Sequence, residues 1–289
     1  MPFKAICLMI FSLCFGGVTA VEALEVCGEI KQGELILFKD KIEKRIYVFK
    51  NLNRKDYSLN EEGIALVALH RDAPQKLEFG AYSLTDASDV YELNVAKTKW
   101  DIQRVDGVEQ HHVTPSKKHQ AEIVREQNDV RHALRQKNMA QYWHEGFIVP
   151  VVDGRISGQF GNQRIFNGVP KNPHSGTDIA APLGTPVKAS GSGVVVLSGK
   201  DYFYTGNMVI IDHGQGLQTI YAHLQDLAVQ KGDVVKQGQI IGHAGKSGRA
   251  TGAHLHWGAS LNNVRFRPHS LLDINKKKCR QYSGKYMGE

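Results

Sequence analysis

Long apolar runs, cysteines and several familiar motifs are scarce or missing in this chain. Ala5 to Val18 comes nearest to a membrane-spanning helix and stops short of the roughly 20 apolar residues one needs. Four cysteines stand in 289 residues. Neither Cys27 nor Cys279 has a setting that suits a metal site or a nucleophile, which removes the Cys/His hydrolases. His-Glu-x-x-His does not occur, so a helical zinc motif of that kind is excluded. Gly242-His-Ala-Gly-Lys-Ser247 is two residues short of a phosphate-binding loop and lacks its α/β setting. The run Lys231 to Gly242 resembles the turn of biotinyl and lipoyl carriers, yet no Met-Lys-Met follows to bear a prosthetic group. No basic segment is interleaved with aromatics, and nucleic acid is therefore not expected as a partner.

What is present describes an exported protein of two domains. With 42% hydrophobic and 22% charged residues the chain is neither disordered nor collagenous, and its length leaves room for two cores. Twenty-nine glycines, many of them after position 145, predict a turn-rich second half. Residues 1–23 read as a secretory signal: Lys4 is its positive start, Ala5 to Val18 its apolar core, and Val18-Thr19-Ala20 or Val21-Glu22-Ala23 its cleavage site. An uncleaved membrane anchor is the alternative. Cleavage removes Cys7 and Cys14 and leaves Cys27 and Cys279, an even pair that points to a disulfide rather than two free thiols. A bridge closing so long a loop contributes about 4 to 5 kcal/mol in the chain-entropy account. The formal charge of +7 suits an acidic polymer by nonspecific attraction.

The pattern along the chain is mainly β. Residues 24–110 carry short apolar or alternating runs (Leu35 to Phe38, Ile46 to Phe49, Ile64 to Leu69, Leu77 to Leu84, Val90 to Val95), which predict a small β-sandwich for binding or covering. In the linker, residues 111–145, Thr114-Pro115 starts a helix, and Ser116 to Trp143 holds no Gly or Pro. Its surface is mostly charged, with Ile123, Val130 and Leu134 as a weak apolar stripe, so a solvated spacer helix is expected. His111, His112 and His119 read as solvated. Strand signals return over residues 146–272, an antiparallel β domain, and residues 273–289 form a basic tail.

Chemistry gathers in two motifs of that last domain. His174-Ser-Gly-Thr-Asp178 offers an imidazole and a carboxylate, and His254-Leu-His256 puts two imidazoles on one face of a strand. Catalytic zinc takes about three N or O ligands and keeps an open position. His174, Asp178 and one histidine of the pair meet that count, and His223 in Tyr-Ala-His-Leu is a further candidate. His213 and His243 fall in Gly-flanked turns and read as structural; Tyr202 and Tyr204 read as packing, with lining of the cleft as the alternative.

These residues carry a resemblance. His174-x-Gly-x-Asp178, Tyr-Ala-His223-Leu and Gly252-Ala-His254-Leu-His256-Trp, with Val209-Ile-Ile-Asp-His-Gly214 and Gly245-x-Ser-Gly-x-Ala-Thr-Gly252 between them, look like the lysostaphin/LytM-type zinc metallopeptidases that cut the peptide part of bacterial cell wall. The resemblance covers residues 146–272; the β-sandwich and helix ahead of them look like a periplasmic subgroup, more loosely. It implies His174, Asp178 and His256 as ligands of one Zn2+ per chain, His223 and His254 as catalytic, and peptidoglycan peptide stems and cross-links as substrate. Some family members place a tyrosine shortly before the first metal histidine; none stands near Gly168 here. The competing reading is a non-catalytic regulator that activates a partner amidase, but relatives of that kind have lost ligands and all five positions are filled here. The bond is expected to be D-alanyl to diaminopimelate, with glycine bridges as the alternative. The N-terminal module is expected to cover the cleft in a latent form, and the segments Arg164 to Lys171 and Asp201 to Gly206 to shape it.

Overall fold

A computed structural model describes residues 24–40, 46–49, 56–82, 89–136 and 138–281. The signal at residues 1–23 and the last eight residues of the basic tail lie outside the described residues.

The predicted N-terminal strands form two antiparallel four-stranded sheets. One runs Asp56–Ser58, Ile46–Phe49, Lys76–Tyr82, Asp89–Asn94; the other runs Cys279–Gln281, Glu25–Cys27, Leu35–Lys39, Ile64–Ala68. Leu35 to Phe38 are all buried, and their uninterrupted apolar run follows from having two covered faces. Phe38 and Phe79 lie 5.0 Å apart between the sheets. The same core continues into Trp143, Phe147, Leu217, Leu261, Phe266 and Leu271, so the two expected domains share one hydrophobic interior.

The tail joins the front module. Cys279–Gln281 pairs with Glu25–Cys27, with Cys27 opposite Cys279, and the two cysteines are bonded across a sequence separation of 252. The tail therefore ends, as far as it is described, as a strand with exposed side chains rather than as a free solvated segment.

The helix is shorter and more engaged than its sequence suggests. It spans Lys117–Ala133, although no Gly or Pro stops it before Trp143. Tertiary hydrogen bonds stop it instead: Gln218 Nε2 donates to the Gln136 carbonyl at 3.1 Å, Asn138 N–H to Asp212 Oδ2 at 3.2 Å, and Gln215 N–H to the Asn138 carbonyl at 2.7 Å. Trp143 is then buried in the short 3-10 helix Tyr142–Glu145, its indole N–H donating to Gln215 Oε1 at 3.1 Å. The charged face of the helix is exposed as expected, but its apolar stripe is docked on the second half rather than left as a free spacer. Ala133 and Leu134 pack on Met208, Ile210, Ile220 and Ala222, and buried Glu126 accepts the Phe203 N–H at 2.9 Å. His112 and His119 also turn inward, each ring 4.9 Å from that of Phe203.

The C-terminal half is a ten-stranded sheet whose main path runs Val234–Val235, Gly193–Tyr202, Gly206–Asp212, Leu217–Leu227, His254–Leu261, Gly176–Ala180, Arg155–Gly158. The helix covers one face and a second core around Val209, Tyr221, Leu255 and Trp257 covers the other. One further strand comes from the front half. Ile102–Val105 lies parallel to Gln163–Phe166, a pairing without a strong local signal because Ile102–Val105 is half-exposed and short.

Candidate metal and catalytic site

Strand register assembles the candidate ligands. Asp178 lies directly opposite His256 in the antiparallel pair of Gly176–Ala180 with His254–Leu261, so both side chains rise from one face. His174, just ahead of the first strand, reaches the same point: its Nε2 is 3.0 Å from Asp178 Oδ1 and 3.0 Å from His256 Nδ1. Asp178 Oδ1 is also 2.9 Å from His256 Nδ1. Gly176 makes room for this convergence. A Cβ there would stand 2.7 Å from His256 Nε2 and 2.5 Å from the Trp257 carbonyl oxygen, both too close for a real contact.

The surroundings fix the chemical state of each group. A backbone carbonyl only accepts, so the 2.9 Å contact of His174 Nδ1 with the Gln159 oxygen puts the proton on Nδ1 and leaves Nε2 as a free lone pair toward the cluster. Burial lowers the pKa of His174, against the pull of Asp178, and takes His256 down to about 4 against the same pull. Burial by itself would raise Asp178, but hydrogen bonds and attraction from His174 and His256 outweigh it and hold the carboxyl well below its usual range. Arg164 Nη2 donates to Asp178 Oδ2, so the two carboxylate oxygens are divided between the histidines and the guanidinium. Neutral imidazoles beside an ionised carboxylate, with ligand atoms all within 4.8 Å of one another, are a donor set that fits zinc.

His223 and His254 stand next to this cluster, with ring centroids 4.7 Å apart and His223 6.1 Å from His256. His254 and His256 share a face by strand period, as expected. His223 does not follow from alternation. Ala222 is opposite His256, which would send the next side chain to the other face. A register shift against Gly206–Asp212 and a left-handed φ of +64° at His223 turn its imidazole back into the cleft. Such a conformation costs a non-glycine residue about 1 to 3 kcal/mol, and strain of that kind concentrates at functional sites. His223 Nδ1–H donates to the Ser247 carbonyl at 2.9 Å and His254 Nδ1–H to the Gly252 carbonyl at 2.8 Å, which turns Nε2 of each ring away from those carbonyls. Burial, then the neighbours His254 and His256, push the His223 pKa well below its usual value.

A groove of about 640 Å³ opens on these groups, bounded by His174, His223, His256, Lys171, Tyr204 and Gln127 of the helix. A smaller hollow of about 250 Å³ continues it past Asp178 and His254 to Gln103, Val105 and Val108 of the N-terminal half. Tyr204 thus lines the cleft, the alternative to packing that the sequence offered. Arg164 and Arg249, which border both hollows, were not singled out by sequence. Arg164 lies in no motif, and Arg249 fills a variable position within Gly245-x-Ser-Gly-x-Ala-Thr-Gly252. His213 is structural, as expected: fully buried, its Nδ1 2.7 Å from the Ser192 carbonyl and its Nε2 2.7 Å from Thr219 Oγ1. His243 Nδ1 pairs with Asp226 at 2.8 Å.

Residues 172–268, which hold all five of these site residues, match the family model described as Peptidase family M23. The chain carries a domain of this family. It is 41% identical over 138 residues to a protein named peptidoglycan DD-endopeptidase ShyA from Vibrio cholerae, covering 45% of this chain and 32% of that protein. It is 42% identical over 124 residues to the DD-carboxypeptidase/endopeptidase Mpg of Neisseria meningitidis, covering 43% and 28%. The matched region thus spans about a third of the length of these relatives. A crystal structure of a candidate peptidase M23 from Pseudomonas aeruginosa superposes over 85% of this chain and 96% of its own, with a TM-score of 0.66 and 29% identity. That likeness extends beyond the M23 domain, so the N-terminal sheets and helix share in it.

Proposed function

We propose that this M23 protein is an exported zinc endopeptidase that hydrolyses the peptide cross-links of bacterial peptidoglycan. The observation that carries the reading is the meeting of His174, Asp178 and His256 on the floor of an open groove with His223 and His254 beside them. Relatives named as peptidoglycan DD-endopeptidases support the substrate, and with it the D-alanyl to diaminopimelate bond. Export to a periplasm is supported by the signal-like residues 1–23 and by the bridge between Cys27 and Cys279.

In this reading His174 Nε2, an Asp178 oxygen and a His256 nitrogen hold the ion. Zinc supplies Lewis acidity, polarising the scissile carbonyl and the attacking water. The protein's own groups move the protons. His223 and His254 both turn Nε2 to the cleft, so one takes the proton from water, and that proton passes on to the departing amine, directly or through the other ring, which stabilises the oxyanion while it carries it. Arg164 orients Asp178 through its second oxygen. The strained backbone at His223 and the Ser247 carbonyl fix its ring before substrate arrives, which removes a cost of ordering at the moment of reaction.

Digestion of purified cross-linked peptidoglycan by the full-length zinc-loaded protein, beside His174→Ala, tests this. Loss of cross-linked dimers with the wild type alone supports it, and product masses name the bond. No cleavage despite bound zinc would turn the reading toward a regulator. A covering role for the N-terminal half belongs to the same proposal, motivated by Gln103, Val105, Val108 and Gln127 on the groove walls. Protein nicked between residues 107 and 117 should then cut faster than intact protein; equal rates sink that part.

A further inference from the structure

The groove is cationic, and among the described residues one of its guanidinium groups has no acid to answer it. Arg164, Lys171 and Arg249 line the larger hollow with no carboxylate among its walls. In the smaller one Asp178 is the acidic group, and its oxygens are already engaged by His174, His256 and Arg164. Lys171 is also spoken for, its Nζ donating to the Val113 carbonyl. Arg249 differs. Its guanidinium lies 4.4 Å from the Tyr204 ring centroid and 4.8 Å from that of Phe166, held between two aromatic faces at the junction of both hollows.

The fold builds this clamp from three directions. Tyr204 is fixed because its carbonyl accepts the Arg249 N–H at 2.9 Å, and because its neighbour Phe203 is bonded to Glu126 of the helix. Phe166 is fixed because its strand pairs with Ile102–Val105 of the front half. Arg249 itself follows Ser247, whose carbonyl orients His223. Stacking between two rings restrains the guanidinium without satisfying its N–H donors. Burial lowers its pKa to about 10, Tyr204 opposing and Arg164 adding to the fall. A desolvated cation without an anion is a cost that folding alone does not explain.

We propose that Arg249 is the carboxylate-recognition residue of the groove, taking a free carboxylate of the peptide stem beside the bond to be cut. The proposal rests on the peptidoglycan reading above for its substrate. Peptidoglycan stems carry such groups on their isoglutamyl and diaminopimelyl residues, and a planar guanidinium pairs with a carboxylate through two parallel hydrogen bonds. Arg249 is then a specificity residue: it selects stems with free carboxylates over the same stems amidated.

Binding tests this without requiring catalysis. The full-length zinc-loaded protein is titrated by calorimetry with an uncross-linked stem tetrapeptide bearing free carboxylates and with its amidated counterpart. The wild type should bind the carboxylate form roughly 10- to 100-fold more tightly, the scale of a charge-assisted hydrogen-bond pair. Arg249→Met should bring that ratio close to one, and Arg249→Lys should retain only part of it, since an ammonium lacks the bidentate fork. A wild-type ratio near one, binding of neither peptide, or a methionine variant with the wild-type ratio overturns the proposal. Should the methionine variant fold poorly, a lysine variant with an undiminished ratio overturns it equally. Cleavage of cross-linked dimers, assayed alongside, reports on the endopeptidase reading alone, so the two can fail separately.

Discussion

Arg164 Nη2 donates to Asp178 Oδ2, while the other oxygen of the same carboxylate faces His174 and His256. This division of labour leaves one oxygen of Asp178 for an ion and ties the second to the protein. Partners of this kind set the orientation and basicity of a ligand, and their loss typically costs about 10- to 100-fold in metal affinity. Arg164→Met is expected to weaken zinc binding by that amount in competition with a chelator. Unchanged affinity would show that Asp178 needs no support.

The histidines proposed as catalytic and those proposed as ligands should separate cleanly. His223 has no atom in the cluster formed by His174, Asp178 and His256, so His223→Ala is expected to keep one zinc per chain by elemental analysis. Its cleavage rate should fall by about 10²- to 10⁴-fold, the usual share of general acid–base catalysis. His174→Ala should lose both metal and activity. Loss of zinc from the His223 variant would move that residue into the ligand set.

Gly176 is required for space. A methyl group there meets the His256 ring and the Trp257 carbonyl oxygen, backbone that cannot swing aside. Gly176→Ala is therefore expected to destabilise the fold by about 1 to 3 kcal/mol, as overpacking does, and to displace His256. Chemical denaturation and zinc stoichiometry read the two effects; a variant equal to the wild type in both refutes the argument.

Stability should fall on acidification through His213. Burial takes its pKa down to about 4, the Ser192 carbonyl opposing only in part, whereas an unfolded histidine titrates near 6.5. The folded pKa is depressed below the unfolded one, so the unfolded chain binds the proton first. Unfolding free energy is unaffected above about pH 7 and declines as pH falls from about 6.5 to about 4, by about 3 kcal/mol in all for this residue. Urea unfolding of His213→Gln should show a decline smaller by that amount between pH 7.5 and pH 4.5. Parallel pH profiles of variant and wild type would count against it.

Much of the site was legible because its signals are local. His254 and His256 share a face through the period of a strand, and His174 and Asp178 bracket the entry to another, so the residue types and their order already indicated a metal centre. The longer apolar runs fixed strands for the same reason, since alternation and burial are written in neighbouring residues. Even the disulfide was readable as a pair, once residues 1–23 were read as a leader that takes Cys7 and Cys14 with it.

Tertiary structure decided what depends on distant partners. His223 enters the cleft only because a bulge against Gly206–Asp212 reverses its face. The helix stops at Ala133 because Asp212, Gln215 and Gln218 bond to the segment after it. The two expected domains share a core because Leu35 to Phe38 lie in one buried cluster with Phe79 of the other sheet and with Leu261 and Phe266 of the second half. Arg164 and Arg249 acquire meaning from contacts with Asp178, Phe166 and Tyr204 that no spacing encodes. By itself the sequence determined which chemical groups exist and which strands carry them, because propensity and period act over a few residues. Where those groups point, and what closes around them, was left to hydrogen bonds and packing between segments that meet only in the folded chain.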